Sequence, residues 1–401
     1  MRLRILEPLR HRDFRLLWIG QSVSQIGNAL YYVALPFQIL ALGGNPLQLG
    51  LGFTIFATAQ LLVILFGGAI VDRLPRRRVI LASDFSSGVI VGVIAVLGMT
   101  GHLQIAHLYV AAALFGVAFS FETPAMNAIM PELVPKDVLT AGNSLRGLAG
   151  QAGRVLGPLL GGLLVAKSGP PAAFAIDAAT FFFSFVVFFF AKPPRREPLP
   201  PSSLLSQVRE GLAFTFSVKW IWLTIVGFGF TNGFYFAALT VALPLLVINV
   251  LHGSAATFGL IGAAGGVGEV IGGLLAGSLR VRRLGLTLYA GGVAIGVSAI
   301  AYGVPLLPVV LVGAAGFGAS IVFTNTLWET AIQKHVPPDL IGRVTSIDFF
   351  GSFLVGPVAP IAAAAAIPLI GPAAIFLIAG TVSIVYSVVA PALNRSIREL
   401  E

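Results

Sequence analysis

Apolar residues in this chain run in long unbroken blocks, and polar positions gather in the short gaps between them. Blocks such as YVAAALFGVAF and FFFSFVVFFF lack the alternation over about ten residues that marks a strand of an outer-membrane barrel. A hydrocarbon core about 30 Å thick takes roughly 20 apolar residues per helix, so the pattern predicts an all-α membrane protein. Cutting at charge clusters and at Pro/Gly turns gives twelve spans: 15–41, 48–71, 79–99, 105–124, 140–166, 171–191, 219–249, 255–279, 284–304, 307–329, 341–366 and 371–392. An even number places both termini on one side.

Charge then supplies the orientation. Of the 25 Lys and Arg residues, 22 lie in the termini or in even-numbered connections, where basic residues mark the cytoplasmic side. Of the other three, Lys167 lies in an opposite-side connection, and Arg146 and Arg154 fall inside span 5. Both termini are therefore expected to be cytoplasmic, in a multi-pass protein of the inner membrane. The basic start MRLRILEPLRHRDFR leads into a full-length span with no small-residue cleavage pattern, and reads as a retained helix rather than a signal peptide. The net charge of +9 is not interleaved with stacking aromatics on a polar face, so nucleic acid is not an expected partner.

The absence of cysteine excludes disulfides and thiolate metal sites. No HExxH, GxSxG or GxxxxGK[ST] occurs, so neither an enzyme nor an ATP-driven machine is expected, and no metal or organic cofactor.

The chain also repeats itself. VALP at 33–36 returns at 241–244, LVPKDVL before span 5 is echoed by HVPPDLI before span 11, and GP at 157–158 returns at 356–357. These shifts of 208, 202 and 199 residues predict a six-helix half at 1–191, a cytoplasmic linker at 192–218 and a second six-helix half at 219–401. Paired halves of this kind suit alternating exposure of a central site.

Two motifs carry a family resemblance over nearly the whole chain. Gly68-x-x-x-Asp72-Arg73-x-Pro75-Arg76-Arg77 resembles the loop signature of the major facilitator superfamily, with Pro75 where glycine is usual. Gly153-x-x-x-Gly157-Pro158-x-x-Gly161-Gly162 resembles that superfamily's antiporter signature, with Ser144 replacing its leading glycine. ASDFSSG, NAIMPELVP and Q-x-x-VP-x-x-x-x-GRV resemble the branch of bacterial macrolide-efflux proteins and enterobactin exporters.

The resemblance implies a gating latch of Gly68, Asp72, Arg73 and Arg76, in which Asp72 accepts from the free N–H groups near Ile341 and Gly342. Arg73 and Arg76 then reach Asp84 or Glu122. Simple positive-inside anchoring accounts for Arg77 and Arg78, and remains the alternative for the loop as a whole. The second half has Gly277 where the acid would stand. Asp137 and Asp339 each follow a Val-Pro pair before a span and read as helix N-caps.

Charges at bilayer depth cost at least about 2.5 kcal/mol by insertion scales and need a partner or a role. Arg154 and Glu269 sit on glycine-lined faces of spans 5 and 8, which meet in the superfamily, and can form a static bridge or a protonatable switch. Asp348 and Glu122 are rival proton sites. Asp177 is expected to make local backbone hydrogen bonds. Span 1 presents a polar stripe of Gln21, Gln25, Asn28 and Tyr32. With spans 1, 4, 7 and 10 lining the cavity as in the superfamily, the wall adds Phe115, Phe119, Phe228, Thr231, Tyr235, Phe317, Thr324 and Trp328. Aromatic walls with few polar groups suit an amphipathic small molecule rather than a sugar.

The resemblance thus implies a monomeric secondary transporter, a proton antiporter exporting amphipathic drugs or siderophore-like compounds and so conferring antibiotic resistance. An importer or lysophospholipid flippase is the alternative of the same fold, and a non-transporting receptor or scaffold that of another class. Because the chain has no native thiol, single cysteines read the topology directly. In intact cells an impermeant maleimide is expected to label Lys167→Cys and to leave Arg78→Cys unlabelled until the membrane is opened.

Overall fold

The computed structural model describes residues 4–193, 204–279, 281–338 and 340–401, with the side chains of 4, 64–73, 123 and 204–208 outside that description. Within hydrocarbon each backbone N–H must be satisfied inside its own segment, and the helices follow the apolar blocks. They are α1 (Arg12–Ala41), α2 (Pro46–Arg73), α3 (Arg76–Met99), α4 (Ile105–Leu133), α5 (Leu139–Ser168), α6 (Pro170–Phe189), α7 (Leu204–Ser217) and α8 (Lys219–Ala237). After a π-helical turn at Ala238–Ala242 come α9 (Leu243–Asn249), α10 (Ala255–Ser278), α11 (Leu284–Tyr302), α12 (Leu307–His335), α13 (Ile341–Phe353), α14 (Ala359–Leu393) and α15 (Arg395–Arg398). No strand occurs among the described residues.

Ten segments among the described residues are long and apolar enough to cross a membrane. α1 is not one of them, because Gln21, Ser22, Ser24, Gln25 and Asn28 dilute its apolar content. α14 conceals a further crossing: Gly371, at φ 78° and ψ 162°, breaks it between two helices. Positive φ suits a residue without Cβ. Adding α1 and dividing α14 at Gly371, with α13 opening the eleventh crossing, brings the ten to the twelve read from the sequence.

Contacts gather the chain into one unit of residues 1–200 with 254–259 and another of 201–253 with 260–401. In the first unit α1 packs on α5 and α6, α3 on α4 and α6, and α2 on α4. Its core joins Phe14, Leu17, Ile80, Ile129, Met130 and Phe188 near one end, with Tyr31, Phe56, Phe115 and Phe174 forming a ring cluster elsewhere. In the second unit α11 packs on α12 and α14, and α8 on α13 and α14. Trp220, Ile221, Leu288, Tyr289, Trp328 and Val344 form its core.

The linker stretch 192–218 contains helix α7, whose Glu210 pairs with Arg343 of α13. Two local expectations need correction. α4 runs past residue 124 to Leu133, because apolar Ala125, Met126, Ile129, Met130 and Leu133 continue a helical face through Pro124 and Pro131. Asp137 does not cap α5: Val138 takes the N-cap position without a side-chain bond, since the turn closes through backbone hydrogen bonds from Val138 N to Pro135 O and Leu139 N to Lys136 O. For α13 the cap position is Leu340, and Asp339 lies outside the described residues.

Glycines set the closest helix approaches. α11 meets α14 where a Cβ on Gly296 would stand 2.6 Å from the Gly380 carbonyl oxygen. Gly296→Val is therefore expected to destabilise the protein by about 1–3 kcal/mol, the usual cost of overpacking. Gly277→Ala, where a Cβ meets nothing within 4 Å, serves as the neutral control when thermal unfolding is followed in detergent.

Candidate functional site

α1, α4 and α5 enclose a cavity of about 290 Å³ inside the first unit. Phe14, Trp18, Met126 and Met130 give it apolar walls, and Gln21, Gln25, Glu122, Asn143, Arg146 and Arg154 give it polar ones. Trp18 is held in place by donating from Nε1 to the Leu145 carbonyl at 3.1 Å. Arg146 donates to Asn127 Oδ1 at 2.8 Å, and Arg154 donates from Nε to Gln151 Oε1 at 2.9 Å. The site therefore presents guanidinium, carboxyl and amide groups beside large soft hydrophobes.

The glycine signature of α5 builds one wall of the unit. Cβ atoms on Gly153, Gly157 and Gly161 would face Gln25, Ala29 and Leu30 of α1, so these three positions let the two helices touch. Gly162 instead faces the first turn of α10, at Ala255 and Gly259, which belongs to the same unit. Pro158 sits inside α5 without ending it. Arg154 was expected to share the packed glycine face, but that face is Gly153, Gly157 and Gly161, and Arg154 is exposed toward the cavity one position away. Among the described glycines of α10, Gly265, Gly268, Gly272 and Gly273 touch α12, with Glu269 half-buried beside them.

Glu122 lies deeper than expected. With α4 ending at Leu133, it stands about 16 Å along the helix from that end at 1.5 Å per residue, facing the cavity with Gln21, Gln25 and Arg154. Asp348 is brought to Trp328, whose Nε1 donates to Asp348 Oδ2 at 2.9 Å, and Ser352 donates to its other oxygen at 3.4 Å. Asp177 is buried; Thr180 Oγ1 donates to its backbone oxygen at 2.8 Å and lies 3.5 Å from its Oδ1, a side-chain contact in place of the backbone bonds expected of the carboxyl.

The aromatic wall read from helical projection separates into enclosed clusters. Phe115 is 1% exposed and packs among Tyr31, Phe56, Phe119 and Phe181, while Tyr32 lies edge-on to Phe56. Tyr235 meets Phe317 edge to face at 5.0 Å, and Phe228 lies against Trp328. Thr324 is 2% exposed beneath Gly291, and Thr231 bonds back to Phe228 O at 3.1 Å. Phe115 and Thr324 are thus packing residues rather than cavity lining, because both are covered by helices of their own unit. Asn28 is buried on α1.

For the latch, the side chains of Asp72 and Arg73, together with position Gly68, lie outside the described residues. Arg76 is described, and it reaches neither Asp84 nor Glu122: it pairs with Glu132 near the end of α4 and donates to Ala128 O at 3.1 Å. Cutting span 4 at residue 124 hid that acid. Pro75 takes φ −58° and starts α3 as its N-cap, as its ring requires. Arg77 is more than a positive-inside anchor, since it donates to Phe189 O and lies over the Phe189 ring at 5.6 Å. Sequence reasoning also missed the partners of Asp84, which accepts from Gln21 of α1 and from Ser184 of α6. The sign available was a carboxylate and three Ser residues within ASDFSSG on a helix that must be buried.

A chain of twelve membrane crossings in two units, with a polar and apolar cavity inside one of them, belongs to the class of multi-pass membrane transport proteins. The family model described as Major Facilitator Superfamily matches residues 17–360, and the chain belongs to that superfamily. It is similar to the enterobactin exporter EntS of Citrobacter koseri, at 28% identity over 84% of this chain and 81% of that one. It is also similar to macrolide efflux protein A of Streptococcus pyogenes, at 25% identity over 97% of both. Among solved structures it shares its fold with the nucleoside transporter NupG, with a TM-score of 0.73 at 12% identity over 95% of this chain and 98% of that one. A POT family transporter in complex with a thioalcohol-conjugated peptide gives a TM-score of 0.75 at 12% identity over 97% of both.

Arg76 and Glu132 are both nearly buried, at 13% and 12% side-chain exposure, so either one alone is an uncompensated charge. Arg76→Ala and Glu132→Ala are each expected to destabilise by about 3 kcal/mol. The double variant is expected to lose less than the sum, as a thermal-unfolding cycle will measure.

Proposed function

We propose that the protein exports an amphipathic small molecule across the inner membrane by alternating access, driven by proton entry. The observation that carries this reading is the first unit's cavity, lined both by Trp18, Phe14, Met126 and Met130 and by Glu122, Arg146 and Arg154. A solute with an aromatic or aliphatic body and a polar or charged edge satisfies both walls, whereas a sugar leaves the apolar wall uncovered. The exporter names of the enterobactin and macrolide relatives favour outward movement. The glycine signature of α5 agrees by family analogy.

A proton gradient is an adequate drive, because one charge moving through 100 mV yields about 2.3 kcal/mol. Candidate coupling groups on this reading are Glu122, Glu269 and Asp348, with Arg154 as the nearby cation of the cavity. Asp72, Arg73 and Arg76 hold the cytoplasmic gate, both termini are cytoplasmic, and a single chain suffices.

Proteoliposomes loaded with a panel of fluorescent amphiphiles test this. Movement from the cytoplasmic face outward that needs an inward proton gradient is expected. Inward movement favours an importer, movement of lysophospholipid between leaflets favours a flippase, and no movement of any probe favours a receptor or scaffold. Glu122→Gln is expected to lower the outward rate about tenfold, the scale of one lost hydrogen bond to a charged group.

A further inference from the structure

Asp84 lies about two turns into α3 at 2% exposure, where α1, α3 and α6 meet. Ser184 Oγ donates to Asp84 Oδ2 at 2.7 Å, and Gln21 Nε2 stands 3.3 Å and 3.4 Å from the two carboxyl oxygens and 3.2 Å from Ser184 Oγ. Gln21 is itself 4% exposed, and its amide oxygen, although buried, has no hydrogen-bond partner. The contact is close by design of the backbone, since a Cβ on Gly20 would meet Ser184 Oγ at 3.0 Å.

The second unit contains a polar joint at the matching place. Thr224 Oγ1 and Tyr289 Oη lie 2.9 Å apart, Tyr289 Oη and Tyr386 Oη 3.3 Å apart, and Tyr386 donates to Leu223 O at 2.6 Å. These residues stand on α8, α11 and α14, the first, third and sixth crossings of the second set. Thr224 follows Gln21 by 203 positions, Tyr289 follows Asp84 by 205 and Tyr386 follows Ser184 by 202, within the range of shifts at which the sequence repeats. One joint is built from neutral hydroxyls; the other has a carboxyl in the same role.

We infer that Asp84 takes up and releases a proton during the transport cycle, switching the joint of α1, α3 and α6 between two hydrogen-bonded forms. This rests on the proton-coupled reading above and names a group outside its candidates. As a carboxylate, Asp84 accepts from Ser184 and from the Gln21 amide. When a proton arrives from the aqueous side, the neutral acid becomes a donor, and the Gln21 amide turns to offer its unpartnered oxygen. In the second form the Gln21 oxygen gains a donor, its N–H group gives up Asp84, and no charge remains in the joint.

The charged groups near the joint come from four helices. From α4 the Glu122 carboxyl acts on Asp84 through its charge, and α6 carries Asp177 seven positions before Ser184. On α1 the titratable residues are Arg12, Asp13, Arg15, Tyr31 and Tyr32, with Asp13 bonded to Lys192 N and Arg15 to Leu9 O. On α3 itself Arg76 is bound to Glu132 and Arg77 to Phe189 O. Among the described residues the side chains bonded to Asp84 are Gln21 and Ser184, both neutral.

The test needs no known substrate. Full-length protein in liposomes is titrated with pH while difference infrared spectra follow the carbonyl stretch of protonated carboxylic acids. The expected result is a titrating band that disappears in Asp84→Asn and persists in Glu122→Gln. A band unchanged in Asp84→Asn overturns the inference. Should Asp84→Asn fail to assemble, Ser184→Ala keeps the carboxyl and removes its nearest donor; it is expected to move the band's midpoint by about one pH unit, and an unmoved midpoint overturns the inference. Transport of a fluorescent amphiphile is measured on the same preparations. Asp84→Asn is expected to lose gradient-driven accumulation at least about tenfold while still exchanging dye at equal concentrations. A wild type that shows the Asp84 band but ignores the gradient overturns proton coupling and leaves the proton site supported.

Discussion

The requirement that governs this molecule is hydrogen-bond closure of the backbone in a medium that offers no water. Each crossing must satisfy its own N–H and C=O groups, so the chain becomes helices, and everything else is a matter of how helices approach one another. The exceptions to regular helix are small and placed. The π-helical turn at Ala238–Ala242 precedes Pro244, and the break at Gly371 lies beside Pro372.

With no hydrophobic drive to bring apolar helices together inside lipid, close packing of small residues does that work. Gly153, Gly157 and Gly161 press α5 onto α1, Gly265, Gly268 and Gly272 press α10 onto α12, and Gly296 with Gly380 joins α11 to α14. Close packing leaves two places for polar side chains. They enter sealed joints, as Asp84, Gln21 and Ser184 do, or they line a cavity, as Glu122 and Arg154 do. Gln21 does both, since it lines the cavity and also donates to Asp84. The joint is therefore one residue away from the cavity wall.

The twelve crossings were legible because hydrocarbon thickness imposes a length and because charge marks their ends; even the two crossings that composition obscures, α1 and the second part of α14, were visible as blocks between turns. The motif residues of α5 were legible as well, although their partner was not. Projection onto a helical wheel placed Arg154 on the glycine face, and the structure puts it one position away from the side that packs. Phe115 failed for the same reason: a wheel shows that a residue points inward without showing whether the interior there is a cavity or another ring. Glu132 was missed because Pro124 and Pro131 looked like helix ends, whereas the apolar face of α4 continues through both.

The sequence alone determined the all-α membrane class, the count of crossings, the repeat and the superfamily, because each follows from local periodicity, charge at span ends or short motifs with fixed spacing. Tertiary structure alone decided which acid meets which partner: Arg76 with Glu132, Trp328 with Asp348, Gln21 and Ser184 with Asp84. Those pairings join residues that are 56, 20, 63 and 100 positions apart. Such distances along the chain hold no trace of the rotation and depth at which two helices finally pack.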